Sequence, residues 1–366
     1  MLPKLLFSPD PLYHITKIKL FLPTGDSFKN LKVAILKVTR THSTILKILF
    51  AGIALGYMVF RLVGFDHWDE ALPRAAEAFS GSRSLMILGA FVLIYLNFSS
   101  EAVKWQRLVN RIEPTGYPKA LAGVLTSLAM AVTTPGRIGD FITRGMILEP
   151  GNRFAASGHT FLCILAQMVM TVALGLLGAA VYLPANWDFL QGVSHNLNAP
   201  VLIAGIAGLA LIILFFILDQ LTGILQKIRW LKKINPFLAA MEGISVRDKS
   251  FLLVVSTFKY LTYIGQFYLL LIFFGVSLEF WEGMAAISLI YMIMHFLLVP
   301  TIGDLGVRGS LAILILEPFT TDVPAIVFAT FAVWIINIMI PSLIGLLLLK
   351  RIRFETVTGG PVAGGS

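Results

Sequence analysis

IGDFITRG, residues 138–145, lies between two apolar stretches, and IGDLGVRG follows at residues 302–309. In both copies an Asp precedes an Arg by four residues, Asp140 before Arg144 and Asp304 before Arg308. Prolines stand just upstream, Pro135 and Pro300. A proline withdraws a helix donor, and glycine tolerates tight backbone. The run Pro135-Gly136-Arg137-Ile138-Gly139-Asp140 therefore reads as a break where an incoming helix ends and a returning one begins. Pro300, Gly303 and Gly306 repeat the pattern in the second copy.

The surroundings decide what kind of break this is. The chain has 366 residues, 57% of them hydrophobic and 13% charged, with a mean hydropathy of +0.83. That is more apolar surface than a soluble domain buries, so the chain is an integral membrane protein. Its single cysteine, Cys163, excludes an internal disulfide framework. A spanning helix needs about 20 apolar residues. Six runs fit: 44–64, 84–100, 154–183, 200–219, 250–276 and 323–349. Two shorter ones, 119–134 and 283–299, lead directly into the breaks.

The net charge of +9 invites a nucleic-acid reading in a soluble protein, but here basic residues gather at the ends of apolar runs, which is a topology signal. No nucleic acid is expected. Treating each short run as a hairpin that returns to its own side puts most of the 29 Lys and Arg residues on the cytoplasmic side. That count includes Lys104, Arg107, Arg111, Lys119 and Lys249. Acidic residues such as Asp66, Asp69, Glu70 and Glu282 fall outside. The expected fold is an all-α polytopic membrane protein with two inverted-topology repeats, each of three full spans plus one re-entrant helical hairpin. Its parts are a basic cytoplasmic segment 1–43, repeat 1 at 44–183 with hairpin 119–149, and an external loop 184–199. Repeat 2 follows at 200–349 with hairpin 283–317, then a short cytoplasmic tail 350–366. Both termini are cytoplasmic in this reading. An odd number of crossings turns the second repeat over, so the hairpin tips approach each other near the midplane, where irregular backbone requires protein or a wet cavity.

Asp140 and Asp304 read in two ways, as caps at the start of the returning helices or as functional carboxylates. Arg144 and Arg308 are one turn further on, so each Asp-Arg pair has a plain reading as internal pairing. Arginine within a membrane segment is nonetheless costly and usually faces a functional interior. Guanidinium binds phosphate bidentately, so Arg144, Arg308 and Arg137, with Asp140, Asp304 and Lys259, are the candidate substrate-binding residues. Pro135, Gly136, Gly139, Pro300, Gly303 and Gly306 are the hairpin-tip residues. Lys259 reads equally as interior or as snorkelling to the interface. Gln167 and Asn337 read as interhelical hydrogen-bonding residues, and Glu101, Lys104 and His295 as interfacial or packing residues. Lys227, Arg229, Lys232 and Lys233 form a basic stretch suited to an anionic lipid surface.

No HExxH, GxSxG, P-loop, CxxC pair or His-rich metal spacing occurs. No enzyme activity, cofactor or metal is expected; chemistry on a lipid phosphate would lack a nucleophile.

Pro135 to Asp140, together with Pro300, Gly303 and Leu305-Gly306-Val307-Arg308, resembles the two signature segments of the lysylphosphatidylglycerol synthase transmembrane family, also described as flippase-like integral membrane proteins. The resemblance covers most of residues 40–350. It implies a translocator that moves an anionic or phosphate-bearing lipid between leaflets of a bacterial or archaeal cell membrane: a phospholipid, an aminoacyl-phospholipid or a polyprenyl-linked lipid. The headgroup would sit at the midplane between the hairpin tips. The chain departs from fused members by carrying no soluble aminoacyl-transferase domain after Lys350. It also carries Asp140 where a Glu is usual, and Gly309-Ser310 where an acidic residue usually follows the arginine. A secondary transporter of a soluble organic anion and a non-transporting lipid-binding subunit are the alternatives, and a homo-oligomer is compatible with all three.

Overall fold

The computed structural model describes residues 49–81, 83–134, 138–186, 198–226, 239, 241–297 and 301–358. The 1–43 segment, the basic stretch bearing Lys227, Arg229, Lys232 and Lys233, and Pro135, Gly136, Arg137 and Pro300 lie outside them. From Ala51 onward the described residues belong to one compact unit.

Every regular element among the described residues is helical. Helix α1 (Leu49–Val63) turns through 102° into α2 (Trp68–Ser80). Then come α3 (Ser84–Val109), α4 (Tyr117–Thr133), α5 (Ile138–Arg144) and α6 (Arg153–Asn186). The second half contains α7 (Asn198–Phe216), α8 (Leu218–Gln226), α9 (Val246–Phe273), α10 (Phe280–Phe296), α11 (Thr301–Leu316), α12 (Val323–Trp334) and α13 (Ile340–Thr358). Four helical stretches are long and apolar enough to cross a membrane, Ser84–Val109, Pro150–Asn186, Ala199–Phe216 and Val323–Leu349, and the bent α1–α2 pair counts as a fifth if taken as one span. Helix α9 is 28 residues long but interrupts its apolar run with Ser256, Lys259 and Gln266.

Both IGD segments are helical. Helix α5 runs back antiparallel along α4. Gly139 lies where an added Cβ would be 2.5 Å from the Met130 carbonyl oxygen, Ser127 donates to Asp140 at 2.6 Å, and Gly123 faces Ile147. Glu113, before α4, accepts from the Glu149 amide and the Asn152 side chain, both at 3.0 Å. These contacts bring the residues just before α4 and just after α5 together. In the second half α11 returns beside α10, with Arg308 over the Tyr291 ring. Gly139, Gly303 and Gly306 are inside helices, not in irregular tips as expected. The returning helices begin at Ile138 and Thr301, and Gly139 and Gly306 serve close helix approach.

Apolar burial gives helices in lipid little reason to associate, so packing of small residues and interhelical hydrogen bonds hold them. Gly178 of α6 accommodates Ala285 and Ser288 of α10, and Gly345 of α13 meets the Leu125 carbonyl of α4. Helix α4 therefore packs on α13 and α10 on α6, and α3 pairs along α9. The Asn337 amide donates to Gln266 at 2.8 Å, and Gln266 donates to the Ala90 carbonyl at 2.9 Å, linking three helices. Asn337 lies on a π turn, Ile335–Met339, just before Pro341, which has no N–H to continue the helical ladder.

The two ends differ in charge. At one, Asp248 pairs with Arg107 at 2.6 Å and Arg111 at 2.5 Å, and Glu113 pairs with Lys119 at 2.8 Å. At the other, Arg61 pairs with Glu317 at 2.9 Å and Arg74 with Asp322 at 3.0 Å. The Lys119 ammonium, aided by the Asn152 side chain and the Glu149 amide, holds the Glu113 carboxyl down to about 2. A carboxyl depressed in the fold stabilises it above the ordinary carboxylate range and loses that contribution as pH falls through the depressed value. Acidification from pH 5 toward pH 2 is therefore expected to release the 145–152 turn progressively, while at neutral pH the turn is released in Glu113→Ala. Hydrogen exchange at the Glu149 amide checks both; equal protection in parent and variant at neutral pH would contradict it.

Candidate functional site

Glu101 is the hub of the buried charges. Its run was expected to end at residue 100, but α3 continues to Val109 and carries Glu101 and Lys104 inward between buried Ala102, Trp105 and Leu108. Three cations converge on its carboxylate: Arg144 Nη1 at 2.7 Å, Lys259 Nζ at 2.7 Å and Lys104 Nζ at 3.0 Å. Arg144 spans to Asp140 through Nη2 at 2.7 Å. Lys104 also donates to the Ser256 hydroxyl at 3.0 Å and the Cys163 carbonyl at 3.3 Å, and Gln167 accepts from it at 3.5 Å.

The placement follows from helical spacing. Glu101 and Lys104 share a face of α3, Asp140 and Arg144 share a face of α5, and α9 delivers Lys259 from across the bundle. Lys104 is wholly buried, and the side chains of Arg144 and Glu101 are 4% and 6% exposed. Among the described residues three cations face two carboxylates, so when all are ionised this set has one positive charge in excess. Buried charge lacking a partner is costly, so this cluster favours an incoming anion over a cation.

Arg308 is also buried, at 7% exposure, yet its surroundings differ. Its Nη2 contacts the two Asp304 oxygens at 3.0 and 3.3 Å. Among the described residues its Nε and Nη1 are buried without a hydrogen-bond partner, and so is the Tyr291 hydroxyl. The guanidinium carbon is 5.8 Å from the Tyr291 ring centroid, and Tyr291 meets Tyr263 edge-on at 4.8 Å. Helix α9 joins the two centres: Lys259 reaches Glu101, and Tyr263, one turn later, reaches the Arg308 neighbourhood. One turn places such residues about 5–6 Å apart. Arg144 thus meets two carboxylates, whereas Arg308 meets one carboxylate and an aromatic wall.

Asp140 pairs with Arg144 and Asp304 with Arg308, and Lys259 meets Arg144 at the Glu101 carboxylate. Lys259 is an interior residue, not a snorkelling one. Glu101 and Lys104 correct the interfacial reading, and Lys104 and Lys249, 0% and 3% exposed, are not free loop charges; Lys249 donates to the Phe216 carbonyl at 2.7 Å. The available signal was an acid and a base three residues apart with apolar residues continuing beyond them. Gln167 and Asn337 bond between helices as read: the Gln167 amide donates to the Ser256 carbonyl at 3.4 Å.

Residues 44–345 match the family model described as lysylphosphatidylglycerol synthase TM region. No curated protein matches the chain.

Proposed function

The chain belongs to the lysylphosphatidylglycerol synthase TM region family, and from that premise we propose that it is a non-enzymatic translocator of an anionic, phosphate-bearing lipid across a cell membrane. Arg308 carries this reading. It is a buried guanidinium with Nε and Nη1 unused among the described residues. A phosphate oxygen supplies the acceptors those donors lack, and guanidinium matches phosphate in shape as well as charge.

In this proposal the two halves are inverted repeats and the IGD segments are re-entrant hairpins. Support comes from the Glu113–Glu149 contact, which brings both ends of the first hairpin to one face. The reciprocal packing of α4 on α13 and of α10 on α6 adds to it. The end bearing Arg107, Arg111, Lys119 and Arg153 is cytoplasmic by the positive-inside rule. Removing Lys104 and Lys249 from the loop count does not reverse the bias.

The test is translocation of fluorescent phosphatidylglycerol in proteoliposomes. A charge-assisted hydrogen bond contributes about 1.5–3 kcal/mol, so Arg308→Ala is expected to slow translocation by roughly 10-fold to 100-fold while the protein stays folded. Arg308→Lys, which keeps charge but loses the fork, falls between. Translocation by folded Arg308→Ala at the parent rate would refute the headgroup role.

A further inference from the structure

The same turn of α11 that carries Arg308 carries an apolar face beside it. Leu305 and Gly309, with Met58 of α1 and Val327, Phe328 and Phe331 of α12, line a recess of about 280 Å³. Phe331 is 43% exposed, so the recess reaches the outer surface of the helical body. Its depth follows from helix geometry. Glu317, just past the end of α11, pairs with Arg61 near the α1–α2 bend. Residues 305–309 lie roughly 15 Å before it at 1.5 Å per residue, which is half a hydrocarbon core of about 30 Å. Recess and guanidinium share this middle level.

The contact between α1 and α11 at this level is made by small residues. An added Cβ on Gly306 would stand 3.0 Å from Leu55 Cβ, and one on Gly309 would run into Met58 Sδ. The Ser310 hydroxyl donates to the Ala54 carbonyl. Such a seam has little side-chain interdigitation to undo. Above it, Trp68 at the start of α2 meets Phe328 at 6.4 Å.

An anionic lipid whose phosphate reaches Arg308 cannot lay its hydrocarbon among the charges around Glu101, because burying those charges beside apolar atoms without partners is unfavourable. The tail needs an apolar exit at the same depth. We infer that the Met58–Leu305–Gly309–Val327–Phe331 recess is the lateral portal through which an acyl chain of an anionic lipid leaves toward the bilayer while its phosphate rests at Arg308. This rests on the lipid-translocator reading and sharpens it: the ligand is an acyl lipid, not a soluble anion.

The experiment uses the full chain in proteoliposomes doped with phosphatidylglycerol bearing a mid-chain diazirine, or with phosphatidylcholine bearing the same chain. After illumination, adducts are mapped by peptide mass spectrometry. Adducts are expected near Met58 and Val327–Phe331, about 10-fold more abundant with phosphatidylglycerol, the ratio one charge-assisted hydrogen bond supplies. Val327→Trp fills the recess and is expected to remove the adducts and slow translocation. Phe331→Ala widens it and is expected to keep both, which preserves the test if Val327→Trp does not fold. Equal labelling by the two lipids would identify ordinary boundary lipid and overturn the portal. Folded Val327→Trp translocating at the parent rate would overturn the portal while leaving the translocator reading intact. Headgroup-selective adducts in a parent protein that moves no lipid would uphold the acyl seat and remove the translocator reading.

Discussion

Glu101→Gln is expected to destabilise the protein by about 3–5 kcal/mol, the range for breaking a buried ion pair by removing one partner. The substitution changes almost no volume, so packing is not the cause. It leaves Arg144, Lys104 and Lys259, all within 3.0 Å of the lost charge, sharing the single carboxylate of Asp140. Thermal melting in detergent reads the effect as a large fall in midpoint. The charge explanation has its own control. Removing one stranded cation by Lys259→Met in the Glu101→Gln background should raise the midpoint relative to Glu101→Gln alone, as interacting sites do in a double-mutant cycle. A midpoint for Glu101→Gln equal to that of the parent would show that the cluster is not under this electrostatic constraint.

The second large effect is expected at Gly345. An added Cβ there runs into the backbone carbonyl of Leu125 and comes within 3.1 Å of the Thr126 amide nitrogen. Those are backbone atoms and cannot rotate away, so α13 and α4 must separate. Overpacking costs about 1–3 kcal/mol, occasionally more, and Gly345→Leu should sit at the upper part of that range. Because Ser127 on the same stretch of α4 donates to Asp140 at 2.6 Å, the displacement should also disturb the Asp140–Arg144 pair and slow translocation. Gly205, around whose Cβ position nothing lies within 4 Å, is the matched control: Gly205→Ala should melt like the parent. Parent-like melting and translocation by Gly345→Ala would rule out the close seam.

Much of this was legible in the residues. The paired IGD motifs and the Asp-to-Arg spacing of four located both ion pairs, because helical periodicity converts spacing into contact without tertiary information. The family resemblance agrees with the match over residues 44–345. What was missed has one cause. In a single apolar run, a charged residue near the end looks like the point where the helix meets water, and Glu101, Lys104 and Lys249 were read that way. Only the neighbouring helices show that α3 carries its charges inward: Ser256 and Lys259 from α9 and Arg144 from α5 receive them. The unequal surroundings of Arg144 and Arg308 were illegible for the same reason, since IGDFITRG and IGDLGVRG are nearly alike and the difference is supplied by Glu101 on one side and Tyr263 with Tyr291 on the other.

The membership of the Glu101 cluster also bears on how the chain is built at the insertion machinery. Glu101, Lys104, Asp140 and Arg144 all come from the first half and form an electrically neutral set, so that half can enter the bilayer with its ions matched before the second half has been synthesised. Lys259 arrives later, and its ammonium finds its carboxylate on a helix already in place. The first half can therefore act as an intramolecular scaffold for the second, and a chain translated in two separate pieces should retain the later piece only when the earlier one is present.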